Sequence, residues 1–116
     1  MKPIYAPHLI VDCLSPKLTK KEIKKMLLDI CGIAKMFPIS KPFAVKGAEY
    51  NPGVSGFIFI EFSNICIHTF EKGNRVGFNL DLFSCKDFTI SKVITYLRKK
   101  GCTEIDYRRI WREMKA

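Results

Sequence analysis

Four residues carry side chains suited to nucleophilic and proton-transfer chemistry: Ser55, Ser63, His68 and Cys85. Ser63 lies in FIEFSNICIHTF, where one alternating apolar run gives way to another. It is either a polar residue at a hairpin tip or a point of backbone chemistry. Taken singly, the four are ordinary. A strand histidine usually makes a structural hydrogen bond, and a strand cysteine usually packs as a small hydrophobe. A Cys–His nucleophile pair is an arrangement these types permit, but nothing in their spacing specifies an acyl-transfer site. Five cysteines form no C-x-x-C pair, and neither histidine has a ligand-like spacing to a cysteine. Neither a disulfide framework nor a metal site is expected.

The elements that must position these residues are legible in the pattern. HLIVDCL, ending at Ser15-Pro16, reads as a strand. Thr19 and Glu22 have the spacing of a capping box. Ile23, Met26, Leu27, Ile30 and Cys31 follow on one helical stripe, with Gly32 as its expected end. IAKMF and PFAVK read as one interrupted strand or two short ones, and AEYNPGVSG as a loop. SGFIFIEF and NICIHTF are consecutive strands with Ser63 at their junction, and RVGFNLDLFSC is a further strand. Thr89 starts a second helix with Ile90, Val93, Ile94 and Leu97 on its buried stripe and Gly101 at its end, and EIDYRRIWR closes as a strand. The order β-α-β-β-β-β-α-β predicts a single α+β domain over residues 1–116. It is a two-layer sandwich with two helices on one face of a mostly antiparallel sheet.

The 116 residues, 47% hydrophobic and 27% charged, suit one globular domain with its own core. The apolar runs are far shorter than a membrane span, and MKPIYAPH lacks a signal-peptide core, so a cytoplasmic protein without a membrane partner is expected. The formal charge of +9 raises the question of nucleic acid, but the cations are spread over KLTKKEIKK, RKK and YRRIWREMK. A solvated face is the expected reading. SGFIFIEF partly fits the RNA-recognition octapeptide through Gly56, Phe57, Phe59 and Phe62. Its basic position is Ser55, however, LIVDCL offers no second stacking aromatic, and a strand follows instead of a helix. Nucleic acid is not an expected partner.

Taken together, Gly53-Val54-Ser55-Gly56, Ser63, His68-Thr69 and Asp81 to Cys85 resemble the small prokaryotic S-adenosylmethionine decarboxylases. That family reads roughly G-V-S-G, four apolar residues, A-E-S-H, an apolar-polar-apolar triplet, H-T, and later D-x-F-[ST]-C. The resemblance covers nearly the whole chain. It implies autocatalytic cleavage between Phe62 and Ser63, giving a short N-terminal β chain and a C-terminal α chain that carries a pyruvoyl group. It also implies a Schiff base between that group and the substrate amine, without metal or pyridoxal phosphate. By the same resemblance Ser55 and His68 act in processing, His68 as base, and Cys85 is the proton donor. The implied substrate is S-adenosylmethionine, decarboxylated for polyamine (spermidine) synthesis. The implied assembly is a homodimer with shared active sites.

The chain departs from the family at Glu61-Phe62-Ser63-Asn64, where the family has Ala-Glu-Ser-His. The acyl shift needs only a carbonyl before the serine, so the cut stays chemically sound, while substrate recognition is left open. Phe70, as a stacking ring, Glu71 and Asp81 are the candidate substrate-binding residues. The alternatives are the same machinery acting on arginine or ornithine, a non-processing homologue, and an RNA-binding module. Strand geometry adds a constraint: at ~3.3 Å per residue Ser63 lies about 16 Å from His68 and about 26 Å from Ser55. With Phe62-Ser63 as a two-residue hairpin tip, Phe57 would pair with His68, and Ser55 would sit diagonal to His68. Ser63 would then meet the Ser55–His68 unit on a second subunit.

Overall fold

The computed structural model describes residues 4–50 and 52–115. The elements run β1 (Ile4–Leu14), α1 (Lys20–Ile33), β2 (Phe43–Lys46), β3 (Val54–Ile60), β4 (Ser63–Lys72), β5 (Arg75–Phe83), α2 (Ile90–Lys99) and β6 (Thr103–Met114). This is the predicted order. The strands form one sheet in the order β2-β3-β4-β5-β1-β6, with every neighbouring pair antiparallel. No helix among the described residues is long and apolar enough to cross a membrane.

Alternation decides which side chains meet the helices. Leu9 and Val11 of β1, Ile58 and Ile60 of β3, Ile65 and Ile67 of β4, and Phe78, Leu80 and Leu82 of β5 are fully buried under them. Helix α1 contributes Ile23, Met26, Leu27, Ile30 and Cys31, and α2 contributes Val93, Ile94 and Leu97. Each fully buried aliphatic side chain is worth about 1.5–3 kcal/mol relative to exposure, so this one core carries most of the fold's stability. Gly56 lets α1 lie close on β3, since a Cβ there would sit 2.6 Å from Ile23 Cγ2 and 3.0 Å from the Phe43 carbonyl oxygen. Cys13, Cys31 and Cys102 are core residues, Cys66 is half-buried and Cys85 exposed.

The capping box forms: Thr19 Oγ1 accepts from the Glu22 amide and Glu22 Oε1 from the Thr19 amide, both at 3.1 Å. Three expectations need correction. Gly32 does not end α1, which runs on to Ile33 because the hydrophobic stripe continues; Lys35 takes the left-handed position with φ 55°. IAKMF is not a strand. Residues 37–39 instead flank the β3 edge through Pro38 opposite Ile60, Glu61 N–H to Phe37 O and Ile39 N–H to Phe59 O. Thr89 is the N-cap of α2 by position, but its side chain makes no capping bond.

Candidate active site

The β3–β4 hairpin sets the geometry. Its two-residue loop is Glu61-Phe62, with Ile60 opposite Ser63, not Phe62-Ser63 as the sequence suggested. The shift of one residue has a visible cause. Phe62 adopts φ 61°, a left-handed conformation that supplies the tight reversal without glycine or asparagine. Ser63 thereby becomes the first residue of β4, and Ser55 stands directly opposite His68 instead of diagonal to it.

Two groups of candidate residues result. At the hairpin tip, Ser63 is 8% exposed and its hydroxyl donates to the Glu61 carbonyl at 3.2 Å. The Cys85 thiol, two residues beyond β5, donates to the same carbonyl at 3.3 Å. Cys85 therefore reaches the peptide segment that precedes Ser63, although the two stand 22 positions apart in the chain.

The second group lies on the sheet face away from the helices. Ser55 Oγ and His68 Nδ1 are 2.8 Å apart. In the tautomer whose Nδ1–H donates to Ser55, the free lone pair sits on Nε2, where a base needs it. Gly53 and Gly56 explain the G-V-S-G pattern around this serine. A Cβ at Gly53 would fall 2.0 Å from the Thr69 carbonyl oxygen, and the Thr69 hydroxyl accepts from the Val54 amide at 2.8 Å. The β3–β4 pair is thus locked in the register that sets Ser55 against His68.

Ser63 and His68 do not meet within one chain. Ser63, Ile65, Ile67 and Thr69 point toward the helix layer, whereas Asn64, Cys66, His68 and Phe70 point away. The five-residue separation adds about 16 Å along the strand.

Around Ser55 and His68 the open face holds two adjoining recesses that share Asn64, Cys66 and His68. One, of about 380 Å³, is lined by Phe43, Val45, Phe57 and Phe59 with Ser55. The other, of about 310 Å³, is lined by His8, Asp81, Phe83 and Arg112. His8 Nε2 lies 3.2 Å from Asp81 Oδ1, and Arg112 stacks over Phe83 at 4.5 Å. Burial, and then the Asp81 carboxylate, push the Cys66 thiol above its ordinary value, which keeps it protonated near neutrality. Asp81 therefore shares the face of the Ser55–His68 pair. Phe70 lies on the same face, two residues beyond His68 and opposite Gly77. Glu71 does not join them. It sits on the helix side, in an ion pair with Lys17 at 3.4 Å.

His8 and Cys66 were not singled out from sequence. Alternation in HLIVDCL and NICIHTF already puts each on the polar-facing parity of its strand, but only the β1–β5–β4 register brings both to Asp81. Among the described residues no cluster of three or more His, Cys, Asp or Glu is placed to hold a metal.

A family model described as S-adenosylmethionine decarboxylase matches residues 7–113. The S-adenosylmethionine decarboxylase proenzymes of Clostridium botulinum strains Langeland and Okra are each 27% identical over 94 residues, 79% of either chain. The fold resembles the crystal structure of the adenosylmethionine decarboxylase from Aquifex aeolicus VF5, with a TM-score of 0.74 and 18% identity over 100% of this chain and 96% of that one. The family match defines a decarboxylase, a carboxy-lyase by reaction class. The chain belongs to the S-adenosylmethionine decarboxylase family.

Proposed function

We propose that the protein is a pyruvoyl-dependent S-adenosylmethionine decarboxylase that makes its own cofactor by cleaving the Phe62–Ser63 bond. It would supply the aminopropyl donor for polyamine synthesis. One observation carries the reading: the residues fall into two hydrogen-bonded groups, Ser63 with Cys85 at the tip and Ser55 with His68 on the open face. The first holds the bond to be cut, and the second holds a base with the partner that orients it.

The residues of this chain suit each processing step. Ser63 Oγ attacks the Phe62 carbonyl carbon; the C–N bond breaks as the ester forms, freeing the Ser63 amine. A base then removes the Ser63 α-proton, and the Phe62 carboxylate departs from the β-carbon, leaving dehydroalanine. Hydrolysis of its imine tautomer releases ammonia and leaves the pyruvoyl group. His68, oriented through Nδ1 by Ser55, is the base. Since parity and distance keep it from Ser63 in its own chain, the His68 of a second copy would serve, making the enzyme a homodimer with shared sites. The pyruvoyl carbonyl supplies an electron sink for loss of CO₂ from an α-amino acid. Cys85, already directed at the tip, is the group that returns a proton to the substrate carbon.

A second reading keeps the cofactor and changes the substrate to arginine or ornithine. It is favoured by Asp81 on the Ser55–His68 face and by Phe62 in place of the family's glutamate.

Intact mass spectrometry tests the proposal. The purified chain should appear as two fragments, 1–62 and 63–116, the second beginning with pyruvoyl, and Ser63→Ala should remain whole. An unbroken wild-type chain without decarboxylation activity would refute it. Assays with S-adenosylmethionine, arginine and ornithine then separate the two substrates.

A further inference from the structure

The basic residues that are scattered along the chain are gathered by the fold. Residues 17–35 and 86–100, which contain the two helices and their flanking turns, hold 11 of the 20 Lys and Arg but only 3 of the 11 Asp and Glu. This layer therefore has a formal charge of +8, nearly all of the chain's +9. Among the described residues only two of its eleven cations have carboxylate partners, Lys17 with Glu71 and Lys25 with Asp29.

The helices also leave a trough. Lys35, Lys92 and Lys99 line a recess of about 480 Å³ together with Gly32 and Tyr96. A second recess, of about 290 Å³, continues past Lys35 and Lys92 to Lys86; it also holds Asp87, whose carboxylate is paired with Arg109 at 3.8 Å. Gly32 forms part of the wall, and apart from its chain neighbours and its own helix backbone nothing lies within 4 Å of where its Cβ would be. Four like charges along a groove repel one another and hold counterions, which a linear polyanion displaces with a gain in entropy.

We propose that the helix layer binds the phosphodiester backbone of single-stranded nucleic acid along this trough, without reading the bases. A lipid surface fits less well. Leu28 is the only large hydrophobic exposed on either helix among the described residues, so nothing is available to insert between acyl chains. Base readout is disfavoured because Tyr96, the aromatic in the trough, has its hydroxyl committed to Asp29 at 2.7 Å. This surface is separate from the octapeptide strand β3, whose aromatics lie on the opposite face of the sheet.

Fluorescence anisotropy with a labelled 20-nucleotide RNA of mixed sequence, from 50 to 200 mM salt, tests the assignment. The variant Lys35→Glu/Lys92→Glu/Lys99→Glu should bind at least about tenfold more weakly at 100 mM salt. Its log–log salt slope should drop by about 2, at roughly 0.7 for each phosphate that is no longer neutralised. Lys41→Glu/Lys46→Glu/Lys72→Glu has the same net charge with the substitutions outside the helix layer, and should weaken binding less than about threefold. Thermal unfolding checks both variants, and Lys92→Gln alone, with a slope change of about 0.7, replaces the triple variant if that fails to fold. Equal weakening in the two triple variants, no wild-type binding at 50 mM salt, or tighter binding to phosphatidylserine vesicles than to RNA would each overturn the proposal.

Discussion

Phe62 is the residue on which the proposed processing turns. A bulky side chain in the left-handed region costs about 1–2 kcal/mol, and this one is 80% exposed, with little packing to offset the cost. The strain sits on the residue whose carbonyl carbon Ser63 would attack in the proposed processing, so it would raise the precursor toward the rearrangement. Phe62→Gly removes the penalty and should slow fragment formation roughly 5- to 10-fold, the rate equivalent of about 1–1.4 kcal/mol, in a time course by mass spectrometry. Unchanged or faster cleavage would separate strain from processing. At this scale the sequence put Ser55 and His68 on consecutive strands with Ser63 at their junction, and the observed register pairs Ser55 with His68. What stayed hidden depended on parity. Phe70 and Glu71 are neighbours, yet one shares the face of His68 and the other pairs with Lys17 behind the sheet.

At the scale of elements, the hydrophobic periods named every strand and both helices in order, since each buries one stripe or one face. The hairpin register came out one residue off. A two-residue loop is usually marked by glycine or asparagine, and here phenylalanine fills the left-handed position. Seating α1 on β3 depends on Gly56. Gly56→Ala places a methyl group against Ile23 and the Phe43 carbonyl, and should destabilise the fold by about 1–3 kcal/mol. A denaturant midpoint lowered at constant m-value would register the destabilisation, and an unchanged midpoint would contradict this packing. The helices are joined by Asp29, which accepts from Tyr96 at 2.7 Å and from Lys25 at 2.9 Å. Burial pulls the Asp29 carboxyl upward, but the Lys25 and Tyr96 bonds together outweigh it and hold the group below its ordinary value. A depressed folded value means that this stabilisation is present above the unfolded value, about 3.9, and is lost as pH falls through the lower folded one. Acid unfolding of Asp29→Asn should therefore show a weaker pH dependence below about pH 4 than the wild type. Parallel stability curves would rule out this role for Asp29.

Across the whole molecule, the sheet separates two surfaces. The helix side buries the core and gathers the positive charge outward. The open side carries half-exposed Phe43, Val45 and Phe59 beside Ser55 and His68. Total charge was readable from composition, but its concentration on one layer was not, because that follows from where α1 and α2 dock. The same topology keeps Ser63 and His68 apart within a chain, so in the proposed mechanism completing each site falls to a second copy. Equal amounts of Ser63→Ala and His68→Ala chains, unfolded and refolded together, test this most directly by intact mass. Each variant alone should stay whole. In the mixture, about half of the His68→Ala chains should be cut between Phe62 and Ser63, the share paired with a Ser63→Ala partner in random dimers. Cleavage of His68→Ala chains on their own, or none in the mixture, would contradict the shared site.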